Sequence, residues 1–319
     1  MRLVSYRRLA QPRVGVLQGE KVVDLNRAYR ACLESHGECG DLNGADRVIP
    51  AEMPDFLAGG AETMAAARLA LAFHRERMDG GAGPPFDGAG GIFFPREEVR
   101  LLSPVPRPGK IICIGLNYPG AIDAPRPAYP VIFLKAASSV IGSGDTIYLP
   151  RLSREVFAEA ELAVVIGSRA KHLTPETALP CVAGYTMAND LGASDLEKRT
   201  SQWTTGKLMD TFCPLGPALF TTDELHQTDD LTMTTRINGK TVQRGNTRDM
   251  IFAVPFLVSY VSELATLEPG DVILTGSPKL MNGEPAPVVF LKPGDVVEVE
   301  IGGLGILRNP VADEPMERG

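Results

Sequence analysis

The sequence has no Cys-x-x-Cys pair. Its five cysteines (Cys32, Cys39, Cys113, Cys181 and Cys213) are odd in number and scattered. That argues against a zinc or disulfide framework and points to a reducing cytoplasm. Cys113 and Cys181 sit in apolar runs and read as small core residues. An N-terminal signal pattern is also lacking, and apolar runs such as 160–166 and 251–261 are too short to span a bilayer. Positive charge is not in excess. A net charge of −7 argues against nucleic acid or an anionic membrane as the main partner.

What is present describes a soluble globular chain: 44% hydrophobic and 22% charged residues are ordinary for that class. The 319 residues suffice for one large domain or two unequal ones, with ample core. With 33 glycines and 26 prolines, tight turns must be frequent, which favours a β-rich α+β fold.

One stretch organises the rest. Phe157 to Gly167 reads as a strand in which Glu159 and Glu161 interrupt an apolar run. Side chains alternate faces along a strand, so these two acids project to one side. Leu162, Val164 and Ile166 point the other way, and Ala163 and Val165 continue beneath the acids. Two like charges on a buried strand are costly unless a cation or proton neutralises them. Hard oxygen ligands so placed suit Mg²⁺, Mn²⁺ or Ca²⁺. An edge strand with its acids in water is the plainer alternative. The next apolar run, Val182 to Asp190, weighs against it by ending in a third carboxylate where a third ligand is expected.

Along the chain, strands are expected at 3–6, 13–17 and 21–25, with a hairpin turn at Gln18-Gly19-Glu20. Helices are expected over 25–33 and 61–77, with His74 and Arg75 at the polar end of the second. The Gly/Pro-rich stretch 79–91 reads as a linker. These features define a small N-terminal α/β domain and linker, 1–95, and a second domain, 96–319. In the latter, strands are expected at 99–102, 110–115 and 131–135, and Thr174-Pro175 opens a short helix. Asn238-Gly239 joins two strands in a hairpin, and 249–264 reads as a helix. Glu268-Pro269-Gly270-Asp271 and Lys292-Pro293-Gly294-Asp295 are near-repeated turns, implying similar β units packed together. Residues 311–319 read as a loose tail.

Taken in order, these blocks resemble the fumarylacetoacetate hydrolase superfamily over residues 98–311. The matching stretches include Gly115-Leu116-Asn117-Tyr118, Phe133-Leu134-Lys135 and Glu159-Ala160-Glu161-Leu162. Further matches are Ala188-Asn189-Asp190, Gly206-Lys207, Gln243 with Gly245-Asn246-Thr247, and Gly270 to Gly276. The resemblance implies a mixed β-roll catalytic domain, usually in a homodimer. It implies a divalent metal on Glu159, Glu161 and Asp190 that chelates a 2-oxo acid or 1,3-dicarbonyl substrate, with Lys207 close by. Such a cation stabilises the enolate formed when a neighbouring C–C or C–H bond breaks. Lys207 then steadies the oxyanion or relays a proton. Tyr118, Lys135, Gln243, Thr247 and the turn Thr275-Gly276-Ser277 match positions near the substrate.

Two departures from the family pattern matter. Hydrolytic members carry Arg-Asp-His after Gly-Leu-Asn-Tyr, with a glutamate three residues past the histidine, and this dyad activates water. Here those positions read Pro119-Gly120-Ala121, with Ala124 at the glutamate. None of the four histidines lies in this stretch, which leaves Asp123 as a candidate base there. After Asp190, an arginine is replaced by Ser194 and a glutamine by Glu197, which suggests a substrate different from the usual acylpyruvates. The implied activity is therefore enolate chemistry: hydrolytic or decarboxylating C–C cleavage, or tautomerisation. The missing dyad shifts weight from hydrolysis to the other two. A hydratase or dehydratase, and a binding homologue without turnover, are the alternatives.

Overall fold

The computed structural model describes residues 1–36, 42–79, 91–120, 126–281, 284–285 and 288–315. Among them, twelve strands form one mixed sheet. From one edge its path runs Phe93–Pro95, Lys21–Asp24, Pro12–Gln18, Arg2–Arg7, Cys213–Thr221, Val182–Asn189, Ala160–Ile166, Val272–Leu274, Ile111–Gly115 and Val131–Lys135. A second sheet has the order Lys240–Asn246, Thr232–Ile237, Val296–Ile301, Gly305–Asp313, Ile147–Leu149. The fold is α+β and strand-rich. No helix among the described residues is long and apolar enough to cross a membrane.

The strand Ala160–Ile166 lies inside the large sheet, paired on both sides, and all seven of its residues are buried. Its two faces build two cores. Leu162, Val164 and Ile166 pack with Met187, Met233, Val299 and Ile301, closing the gap to the second sheet. Ala163 and Val165 pack with Ala188 on the opposite face, in the core that also takes Phe56, Ala67 and Leu71 from the N-terminal helical region. The N-terminal strands join the same sheet, with Leu3 opposite Leu219. Both faces are thus covered, which suits a near-continuous apolar run better than an alternating one.

Local rules account for the boundaries. Asp24 caps the helix Leu25–Ser35 by accepting from the Arg27 amide at 2.9 Å. Thr174 and Thr177 form a capping box around Pro175–Ala178. Asn238 and Gly239 adopt φ of 51° and 76°, the conformation a two-residue hairpin turn requires. Asp271 and Asp295 make the same turn contact, accepting from the amides of Glu268 and Lys292 at 2.7 and 2.8 Å.

Several expectations are corrected. The run from Phe157 is not one strand: Val156–Phe157 pairs with Gly192–Ala193, and the long strand starts at Ala160. The helix expected from Asp249 begins at Val254, because Pro255 fits only the first turn and Asn246 caps a separate 3-10 turn at Thr247–Asp249. Residues 311–313 are not a tail. They continue the strand Gly305–Asp313, and Val311 pairs with Ile147 and is buried. The two Pro-Gly-Asp turns start strands in different sheets, so their likeness is local. His74, expected at a polar end, is buried against Phe93. The linker at 80–90, the stretch 121–125 with Asp123, and Cys39 lie outside the described residues.

Asn117 ties the loop after Ile111–Gly115 to two other segments. Its side-chain nitrogen donates to the carbonyls of Phe252 and Thr275 at 3.0 and 2.7 Å, and its oxygen accepts from the Phe252 amide at 2.7 Å. At 1% exposure, no water replaces these bonds. Asn117→Ala is expected to lower stability by roughly 2–4 kcal/mol by stranding buried backbone groups. Urea unfolding measures this, and a loss below about 0.5 kcal/mol would contradict the stapling role.

Candidate metal centre

Register and alternation together assemble the acids. Ala160 pairs with Asn189 and Glu161 with Ala188, which sets Glu159 opposite Asp190; the Asp190 amide donates to the Glu159 carbonyl at 2.9 Å. Glu159 and Glu161 share a parity with Ala163 and Val165, and Asp190 shares one with Ala188. The three acids therefore emerge on one face. One ligand atom from each lies within 4.8 Å of the others, and all three residues are buried.

Cations surround two of the three. Lys207 ends the short helix Thr204–Lys207 and donates to Glu159 Oε2 at 2.9 Å and to Asp190 Oδ2 at 2.8 Å. Its ammonium also lies over the rings of Phe157 and Phe133, at 5.0 and 5.5 Å. Lys135 donates to Asp190 Oδ1 at 2.7 Å and to the Leu191 carbonyl at 2.9 Å. Ser277 Oγ donates to Glu159 Oε1 at 2.8 Å, and Lys279 pairs with the same oxygen. Among the described residues Glu161 has no cationic partner; its donor is the Gly276 amide at 2.7 Å.

The titration behaviour follows. Burial alone would raise Glu159, but Lys207 and Lys279 hold it below the usual carboxylate range. Burial and the charges of Asp190 and Glu159 push Glu161 well above it. Burial opposes the Lys207 charge, yet Asp190, Glu159 and Glu197 keep it an ammonium. A hard divalent ion is the one neutraliser all three carboxylates can share, and Glu161 is the oxygen donor left for it. The donor set fits such an ion.

Two cavities open here. One of about 120 Å³ is lined by Glu159, Glu161, Asp190, Lys207, Glu197 and Trp203. The other, of about 240 Å³, shares Phe157, Glu159, Glu197 and Lys279 with it and is otherwise mainly apolar, with Ile237, Val242 and Val289 in its wall.

The remaining expected substrate contacts separate into two groups. Ser277 and Gln243 face the cavities. Gln243 is held by Ala160 N, Thr235 Oγ1 and the Pro278 carbonyl. Tyr118, Lys135, Thr247, Thr275 and Gly276 do not line either cavity. Tyr118 sits in the core with its hydroxyl on Met233 Sδ, and Thr247 Oγ1 accepts from the Leu231 amide. Thr275 Oγ1 donates to the Leu162 carbonyl. Lys135 and Gly276 spend their donors on the acids themselves. The sequence reading missed Lys279, Phe157 and Trp203. Lys279 follows Thr275-Gly276-Ser277-Pro278 and was accessible by extending that turn; nothing local marks Trp203.

Comparison with known proteins places this arrangement. The family profile "Fumarylacetoacetate (FAA) hydrolase C-terminal" matches residues 110–312. The chain is 40% identical over 318 residues to the oxaloacetate tautomerase FAHD2A, mitochondrial, of Homo sapiens, covering 98% of this chain and 91% of that one. Among solved structures, a fumarylacetoacetate hydrolase from Exiguobacterium antarcticum superposes with a TM-score of 0.76 at 31% identity, over 98% and 100% of the two chains. A maleylpyruvate hydrolase from Sphingobium sp. SYK-6, in complex with manganese(II) and pyruvate, gives 0.68 at 27%, over 99% and 100%.

Because burial and the neighbouring acids favour the protonated form of Glu161, and a cation favours the ionised one, Mn²⁺ affinity is expected to rise with pH, with proton release on binding. Calorimetry in buffers of differing ionisation enthalpy reads that proton; pH-independent binding would contradict the triad. Trp203 is the single tryptophan and lines the smaller cavity. Mn²⁺ is expected to quench its fluorescence, and Glu161→Ala to weaken that quenching at least tenfold in concentration.

Proposed function

The chain belongs to the fumarylacetoacetate hydrolase family and is an enzyme of that family; from this we propose that it tautomerises a 2-oxo dicarboxylic acid of the oxaloacetate class between keto and enol forms. The observation that carries the reading is the buried Glu159, Glu161 and Asp190 triad with the Lys207 ammonium beside it. Those three acids would hold a divalent ion (Mg²⁺, or Mn²⁺ or Ca²⁺), which supplies an electron sink for the oxygen of the substrate ketone.

The residues of the chain do the rest. Lys207, buried to 3% exposure and locked by two carboxylates, presents a fixed positive charge where an enolate oxygen develops. Lys279, on the wall the two cavities share, and Ser277, in the smaller one, both stand at Glu159 and are positioned to meet a substrate carboxylate. Phe157, Phe133 and Trp203 exclude water around them. No histidine or glutamate occupies the positions that would activate water, so tautomerisation, which adds none, fits better than hydrolysis. The relative named as an oxaloacetate tautomerase supports the same choice.

Decarboxylation uses the same sink and is the second reading. A homodimer and a reducing compartment complete the proposal. Cys113, Cys181 and Cys213, free and buried, suit such a compartment. The candidate compartments are the cytoplasm expected from composition and the mitochondrion named for the human relative. Enol absorbance of oxaloacetate, followed with and without Mg²⁺ or Mn²⁺, tests the reaction. A metal-dependent gain in keto–enol exchange is expected, and Lys207→Met is expected to lose about 10²–10⁴ of the rate. Release of CO₂ at the same rate would favour the decarboxylase reading, and no response to metal would overturn both.

A further inference from the structure

Glu197 stands apart from the other acids of the site. It ends the helix Ser194–Glu197, and its side chain lines both cavities. Its Oε1 is buried and has no hydrogen-bond partner. Lys207 Nζ, the cation recorded beside it, lies 3.9 Å away, outside hydrogen-bond range. A buried acceptor left unpaired gives up its hydration with nothing in return. A carboxylate serving only the fold would have been given a donor.

The backbone is also shaped around it. A Cβ at Gly192 would collide with Oε1, and one at Gly206 with the Glu197 Cγ. Both neighbouring segments therefore lack side chains where this carboxylate lies, and room is kept for the carboxyl group on the wall of the two cavities. The charged groups that act on it are Lys207 and Lys279 on one side of the balance and Glu159 and Asp190 on the other. Burial, with the two acids, holds it above the usual carboxylate range against the pull of the lysines. A carboxyl group raised in this direction is a better base toward a carbon-bound proton.

We propose that Glu197 is the catalytic acid–base of the enolisation, taking the proton from the carbon beside the ketone and returning it to the ketone oxygen. The C–H bond breaks and its electron pair becomes the C=C bond of the enol. The carbonyl π pair becomes a lone pair on oxygen, which then receives the same proton from the Glu197 carboxyl group. Nothing is gained or lost, as an isomerisation requires. Glu197 thereby fills the role for which the sequence offers no histidine. The other acids are committed: Glu159 and Asp190 to lysines, Glu161 to the Gly276 amide and the metal position. The inference rests on the tautomerase reading above.

The test uses the full-length chain with Mn²⁺, oxaloacetate as substrate, and NMR of solvent deuterium entering the carbon beside the ketone. Glu197→Gln is expected to lose about 10²–10⁴ in enzymatic exchange while Mn²⁺ quenching of Trp203 stays within a few-fold of wild type. Formate is expected to restore part of the rate to Glu197→Ala and to leave wild type unchanged. Wild-type exchange in Glu197→Gln would overturn the assignment while leaving the tautomerase reading intact. Loss of Mn²⁺ binding together with the rate would also overturn it, by showing a structural role. A wild-type chain that binds Mn²⁺ and adds nothing to the exchange would overturn the tautomerase reading and the role of Glu197 with it.

Discussion

Three buried carboxylates whose ligand atoms lie within 4.8 Å of one another repel each other strongly when ionised. At that separation each pair costs roughly 3 kcal/mol even at an effective dielectric constant near 20. Everything near them answers this repulsion. Lys207, Lys135 and Lys279 converge from a short helix, a strand end and a turn that are far apart in the chain. Two of the lysines are themselves almost fully buried, so neither ion could be removed singly without stranding its partner. Glu161 is the member this arrangement leaves short of positive charge, and that shortfall is where the cluster could take up a cation.

The sheet makes such a cluster tolerable. Ala160–Ile166 and Val182–Asn189 are interior strands, so their backbone groups are paired and the ends carrying the acids cannot splay. One face of these strands is sealed by the second sheet and the other by the N-terminal helical region. The acids sit where the apolar run ends, at the rim of that sealed layer. Rigid strands carry the ligands, while the short helices Ser194–Glu197 and Thr204–Lys207 carry the groups that touch protons and charge. This division lets the charge environment vary without disturbing the core.

Absence of the water-activating dyad is then compatible with the rest of the site. Chemistry that only moves a proton needs a sink, a fixed positive charge and one carboxyl group of suitable affinity. The triad, Lys207 and Glu197 line one cavity and would supply those under the proposed reaction, and the mainly apolar second cavity leaves room beside them.

Period-two alternation alone put Glu159 and Glu161 on one side of a buried run, and the apolar stretch ending in Asp190 marked the third acid. Turn chemistry at Asn238-Gly239 and the cap at Thr174 were equally legible, because such rules act over a few residues. The start of the helix at Val254 was missed by five residues where a proline signalled it. The strand at 311–313 was missed because its partner, Ile147–Leu149, lies more than 160 residues away and no local pattern encodes that pairing. Likewise Lys135, matched by family resemblance to substrate, turned out to serve Asp190, and Tyr118 to serve the core. Sequence by itself determined which residues carry charge and which face of a strand they take, since those depend on neighbours in the chain. Only the tertiary structure decided which charges meet, which carboxylate keeps a free oxygen and which hydroxyls are already spent, because these depend on distances between segments that the chain order does not contain.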